Sequence, residues 1–210
     1  MLENIEVLCH NSIRMNLDKK IYVDPFHIKD EYNDADIILI THSHYDHFDE
    51  KDINKVKKED TKIVITCDLY DKARKLGFKN ENIIVMKPYD KQTIKNIEIE
   101  AIPAYNTNKN FHPKENNWIG YLINIDSIVY YIAGDTDITE ENKKIKCDVA
   151  FVPVGGTYTM TSQEAVELVN IIKPKIAVPV HYGEIVGSKD DAANFVNNLE
   201  EGIQGTILIN

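Results

Sequence analysis

DIILIT (residues 36–41) and KIAVPV (residues 175–180) are apolar almost end to end. A strand without polar alternation has no face to give to water, so both of its faces must be covered. A chain built on such strands therefore needs further layers on either side of a sheet. Shorter β-branched runs recur around them: IEVLC, KKIYVD, TKIVITC, NIIVMK, TIKNIEIEAIPA, IGYLINI, IVYYIAG, DVAFVPV and TILIN, punctuated by Gly, Pro, Asn and Asp. Within them KNIEIEAI alternates Ile with polar residues, as a strand with one wet face does.

Helical patterns separate the strands. FDEKDINKVKKED (48–60) and DLYDKARKLGF (68–78) carry apolar residues at helical spacing, the second stopping at Gly77. TSQEAVELVNIIKP opens with Thr161 three residues before Glu164, a capping-box spacing, and stops before Pro174. SKDDAANFVNNLEEG spans Ser188 to Gly202 in the same style. The prediction is a mixed α/β protein with layered sheets, in one domain over residues 1–210, since this length supports one substantial core. The long irregular stretch NTNKNFHPKENNW stands apart, and such loops often carry function.

A formal net charge of −10 disfavours binding to phosphate backbones, so no nucleic-acid partner is expected. It leaves room for a small-molecule substrate, because a bound metal would dominate the local field. Cys9, Cys67 and Cys147 are isolated and form no disulfide framework. MLENIEVLCHNS lacks the basic and apolar regions of a signal peptide, and no apolar run approaches the roughly 20 residues of a membrane span. A cytoplasmic protein without membrane attachment is the expectation.

The chain has seven histidines, and THSHYDH places three of them, His42, His44 and His47, in six positions directly after DIILIT. An extended backbone directs His42, His44 and Asp46 to one side, and a turn at His47 swings that imidazole to a neighbouring position. Imidazole and carboxylate ligands without thiolates suit Zn, Mn, Fe or Ni rather than a cysteine-rich structural site. Asp24 closes IYVD, Asp135 follows IVYYIAG and His181 follows KIAVPV, so each is an early polar group past an apolar run. Such residues converge readily on one rim of the sheets.

VDPF, THSHYDH, AIPAYN, AGDTD, VPVGGTYTM and VPVHYG, in that order, resemble the metallo-β-lactamase superfamily. The later segments look most like its small metal-dependent hydrolases related to ascorbate-6-phosphate lactonases. The resemblance implies a four-layered αββα sandwich with two divalent ions at one edge, zinc first, with manganese, iron or nickel as alternatives. It implies His42 and His44 as ligands of a first ion, Asp46 and His47 of a second, Asp135 as the bridge, and His181 completing the second site. Gly134 would let the backbone approach closely before the bridging carboxylate. Asp24 would either orient a ligand imidazole from behind or cap the turn into Pro25.

The third ligand of the first ion departs from the family pattern. Where several relatives carry a histidine after AIPAY, this chain has Asn106, and the next histidine is His112. Either His112 folds back to serve as ligand, the favoured reading, or Asn106 replaces it. His10 in LCHNS is read as a structural residue at the floor of the site, His27 as surface, and Gly155 and Gly156 as a tight loop nearby. Tyr158 and Tyr182 are candidates to reach substrate.

The function implied is hydrolysis of a small ester, lactone or phosphoester by a metal-bound hydroxide, with Asp46 orienting the nucleophile and passing on its proton. A phosphodiesterase or nuclease, di-iron redox chemistry, or metal binding without catalysis are the alternatives. Relatives often form oligomers, so a homo-oligomer is a possible assembly.

Overall fold

A computed structural model describes residues 1–209. The chain forms two sheets, each laid down in chain order. The first contains β1 (Ile5–Cys9), β2 (Ser12–Asn16), β3 (Lys20–Val23), β4 (Ala35–Leu39), β5 (Lys57–Ile65) and β6 (Ile83–Val85). The second contains β7 (Lys91–Ile94), β8 (Ile97–Pro103), β9 (Ile119–Ile125), β10 (Ile128–Ile132), β11 (Val149–Pro153), β12 (Ile176–Val180) and β13 (Gln204–Gly205). Each sheet begins antiparallel and becomes parallel, from β3 onward in the first and from β10 onward in the second.

The side chains of β4 show why DIILIT has no polar alternation. Ile37 and Leu39 enter the core between the sheets, against Ile123, Phe151 and Val178. Ile38 and Ile40 point the other way, into a second cluster with α1 (Glu50–Val56) and α2 (Tyr70–Lys75) residues such as Ile53, Val56 and Ala73. The second sheet repeats the arrangement. Ala150, Val152 and Ala177 meet Leu168 and Val169 of α3 (Ser162–Ile172) and Phe195 of α4 (Lys189–Asn197). The result is helices, sheet, sheet, helices, and each fully buried Ile or Leu stabilises it by roughly 1.5–3 kcal/mol. No helix among the described residues is long and apolar enough to cross a membrane.

Helix α3 starts as its sequence predicts, with Thr161 and Glu164 in a complete capping box. Other boundaries differ: TIKNIEIEAIPA folds as a hairpin of β7 and β8, and α2 covers only Tyr70–Lys75. Helix α1 stops at Val56, because Lys57 turns extended and pairs with Ala35, while Lys58 bonds Asp36. Helix α4 stops at Asn197, short of Gly202. Strand β13 covers only Gln204–Gly205, just before the TILIN run, whose last residue Asn210 lies outside the described residues. Strand β2 is absent from the sequence prediction. Its SIRMN run breaks the apolar pattern with Arg14, whose guanidinium leaves the sheet to pair with Asp34 over the Tyr32 ring.

Candidate metal centre

The turns and loops that follow β1, β3, β4, β8, β10, β11 and β12 meet at one rim of the sandwich. Three residues at the heart of the rim, among others in these loops, hold positive φ without being glycine: His10 at 52°, Asp24 at 42° and His181 at 59°. Such backbone costs energy and persists where the surroundings over-determine it, most often at functional sites. Two glycines make the convergence sterically feasible. Gly134 has φ 65°, and a Cβ there would sit 3.1 Å from the Ile119 carbonyl and 3.3 Å from the Thr41 side chain. A Cβ on Gly155 would come within 2.4 Å of the His181 carbonyl oxygen, so only glycine lets the VPVGG loop lie against the His181 turn.

The predicted residues assemble into two adjoining clusters. His42, His44 and His112 offer ligand atoms that all lie within 4.8 Å of one another, with His42 Nε2 3.0 Å from His44 Nδ1. Asp46, His47 and His181 form the second group on the same criterion, joined by His10. Asp135 stands between them: its Oδ2 is 3.1 Å from His112 Nε2 and 3.0 Å from His181 Nε2, and its Oδ1 is 3.3 Å from His47 Nε2. One carboxylate thus faces ligand atoms of both groups.

Asp24 lies behind the second cluster. Its buried carboxylate is 2.7 Å from His47 Nδ1 and accepts from Thr41 N (2.8 Å), Thr41 Oγ1 (2.7 Å) and Asn11 Nδ2 (2.7 Å). Donation from Nδ1–H to this carboxylate leaves His47 Nε2 aimed at the centre, which is the tautomer a ligand requires.

The donor set fits divalent ions. Nε2 of His10, His47, His112 and His181 and Oδ1 of Asp135 are buried and make no well-aligned hydrogen bond, although carboxylate oxygens lie 3.0–3.3 Å from these nitrogens. Buried polar atoms are rarely left unsatisfied, and so many converging on one place call for a cation. The electrostatics agree. Burial works to raise the Asp135 carboxyl, but His181, His47 and His112 outweigh it and hold it well below the ordinary carboxylate range. Asp46 is likewise lowered against its burial by His10 and His47. Burial, reinforced by neighbouring imidazoles, holds His42 well below its usual value, and burial also brings His10 down to about 4. His47 goes the other way: despite burial, Asp135 and Asp24 raise it well above 6.5.

Asn106 and His112 turn out to be neighbours. The Asn106 Oδ1 accepts from the His112 backbone N–H at 2.9 Å and lies 3.1 Å from His112 Nδ1. His112 thus faces the first cluster while Asn106 braces it from behind. Asp137 ties down the same loop, accepting from Thr107 N at 2.9 Å and pairing with Lys109 at 2.7 Å.

Some features were not foreseen. His10 has its ring 3.8 Å from that of His181 and its Nε2 3.3 Å from Asp46, so it joins the candidate ligands rather than serving only as a structural residue. The single Trp, Trp118, lies against His42, His44 and His112 at 4.9, 4.8 and 5.6 Å between ring centroids. A lone tryptophan at the end of a polar loop carries no sequence signal for this position. Tyr158 lines the cavity above the clusters, whereas Tyr182 is buried against the helices of the second sheet and does not line it. His27 is on the surface, stacked on Phe26.

The beta-lactamase superfamily domain matches residues 4–181. A UPF0173 metal-dependent hydrolase of Thermococcus kodakarensis is 31% identical over 191 residues, covering 85% of this chain and 84% of the relative. A candidate metal-dependent hydrolase of Parabacteroides distasonis, known from its crystal structure, superposes with a TM-score of 0.80 at 34% identity, over 97% of this chain and 91% of that one. The metallo hydrolase Igni18 of Ignicoccus hospitalis shares the fold, with a TM-score of 0.78 at 22% identity over 97% of this chain and 93% of its own. The chain belongs to the β-lactamase superfamily, as one of its metal-dependent hydrolases.

Proposed function

We propose that this hydrolase holds two divalent ions, zinc first, and cleaves a small ester, lactone or phosphoester. In this reading His42, His44 and His112 would hold one ion, Asp46, His47 and His181 would hold the other with help from His10, and Asp135 would serve both. The observation that carries it is the set of buried ring nitrogens and carboxylate oxygen, without well-aligned hydrogen bonds, turned toward one place. When bound, the ions supply Lewis acidity, bringing the pKa of water toward about 7 and stabilising negative charge on a substrate oxygen.

The chain's own residues do the rest. Asp46 lines the cavity, where its carboxylate is placed to orient the attacking water and to pass its proton on to the leaving oxygen. Asp24 fixes the His47 ring, and Asn106 fixes His112. The net charge of −10 weighs against a nucleic-acid substrate.

Elemental mass spectrometry of the native protein and of His112→Ala tests the reading, alongside an ester and lactone hydrolysis screen. Two ions per chain, falling to one in the variant, with hydrolysis by the native protein, is the expected result. At most one ion in the native protein after zinc or manganese is added back overturns the two-ion reading. Two bound ions without turnover of any compound favours a metal-binding protein without catalysis.

A further inference from the structure

The cavity above the clusters has a volume of about 260 Å³, and its floor is His44, Asp46, His112 and Asp135. Its walls are Tyr45, Phe111, Tyr158 and Ile185, each contributed by a different loop. Tyr45, Phe111 and Ile185 are 66%, 47% and 37% exposed. Among the described residues eight large hydrophobic side chains are this exposed, and three of them ring this one opening. Phe111 and Tyr158 meet edge to face at 4.8 Å, so the wall is a formed aromatic surface rather than a scatter of exposed residues.

Among the described residues no lysine or arginine lines this cavity. The two arginines of the chain are committed elsewhere: Arg14 to Asp34, and Arg74 to the Phe78 carbonyl. The lysines of the neighbouring loop are engaged as well. Lys109 is 2.7 Å from Asp137, and Lys114 is 3.0 Å from Glu141. Sites that recognise phosphate or carboxylate groups normally present an arginine fork or an uncommitted lysine. A larger cavity of about 550 Å³ lies over β7–β9 beside Lys91, Glu100 and Lys146, away from both clusters.

From the aromatic wall and the lack of cations we infer that the substrate is an uncharged ester or lactone bearing a compact alkyl or aryl group, held among Phe111, Tyr158, Tyr45 and Ile185. The inference rests on the hydrolase reading and narrows it. The phosphoester class becomes disfavoured, because only the ions would meet a second anionic group. The size of the cavity, below the roughly 300–1,000 Å³ of drug-sized pockets, restricts the group to something compact.

The test uses the zinc-loaded full chain with paired substrates: uncharged phenyl and alkyl esters and lactones, each matched to a counterpart bearing a carboxylate or phosphate on the same skeleton. The expected result is a kcat/KM at least about tenfold higher for the uncharged member of each pair. Phe111→Ser and Ile185→Ser should each lower kcat/KM for phenyl esters about tenfold, mainly through KM, with zinc content unchanged. Equal or faster turnover of the charged counterparts overturns the inference and leaves the hydrolase reading standing. No turnover of either series by zinc-loaded protein overturns the hydrolase reading, and the inference with it. A lower solution mass in Phe111→Ser with unchanged turnover would assign the lip to contact between copies of the chain and overturn the inference.

Discussion

The two halves of the metal centre are built differently. The second cluster draws on the turn after β1, the loop after β4 and the end of β12, and it is buried. It includes the Asp46 carboxylate, and Asp24 with its three further hydrogen bonds lies directly behind it. The first cluster is all imidazole, with His44 half-buried and His112 delivered by a long irregular loop. Its bracing comes from the Thr41 hydroxyl, 2.9 Å from His42 Nδ1, from the Asn106 amide, and from an anchor at the base of the loop, Asp137. A ligand group with more negative charge on more rigid elements binds divalent ions more tightly. The second cluster should therefore fill first and empty last.

Asp135→Ala offers the largest break in that contrast, because its carboxylate is within 3.1 Å of imidazoles in both clusters. The variant should lose both ions on desalting and lose turnover by about 10³-fold or more. Elemental analysis beside His112→Ala is the measurement. Retention of one tightly held ion in Asp135→Ala would mean that the carboxylate serves a single cluster.

Asp24→Asn should have the next largest effect. The amide keeps the shape but withdraws the charge that holds the His47 proton on Nδ1. Second-cluster affinity should fall about 10–100-fold, with a smaller loss at the first cluster, which Asp24 reaches only through the Thr41 hydroxyl beside His42. Competition with a chelator measures the former, and quenching of the only tryptophan, Trp118, reports the latter. Equal losses at both clusters would collapse the distinction between them.

How much of this was readable in the sequence follows the same division. The strand runs, the α3 cap and the THSHYDH, AGDTD and VPVHYG segments sit at the ends of regular elements, where local pattern dictates direction. These segments could be read together as one rim. His112 and Asn106 could not be placed relative to each other, because a loop's path depends on tertiary bonds such as those to Asp137 that no local spacing encodes. His10 was underestimated for a related reason. Its role depends on a left-handed turn, φ 52°, whose backbone carbonyl accepts from His181 N–H at 2.8 Å, a contact spanning most of the chain. β2 was missed because the outward Arg14 disguises a strand whose inner face, Ile13 and Met15, is fully buried.

The smallest expected effect is a difference in pH dependence between the clusters. In the metal-free chain Asp135 and Asp24 outweigh burial and raise His47 well above 6.5, so it carries a proton at neutral pH. That proton stabilises the metal-free fold fully below the unfolded value of about 6.5, and the contribution is lost as pH rises through the higher folded value. An ion entering the second cluster must displace it, so apparent affinity should climb by up to about tenfold per pH unit between pH 6 and 8. Two of the three imidazoles of the first cluster, His42 and His44, are already lowered, chiefly by burial, and so have less proton to surrender over that range. Zinc titrations at several pH values, followed by Trp118 fluorescence for the first cluster and by calorimetry for the total, should give a steep and a shallow slope. Parallel slopes would show that the Asp135–His47–Asp24 arrangement does not hold a proton in the free protein, and that the clusters differ in rigidity alone.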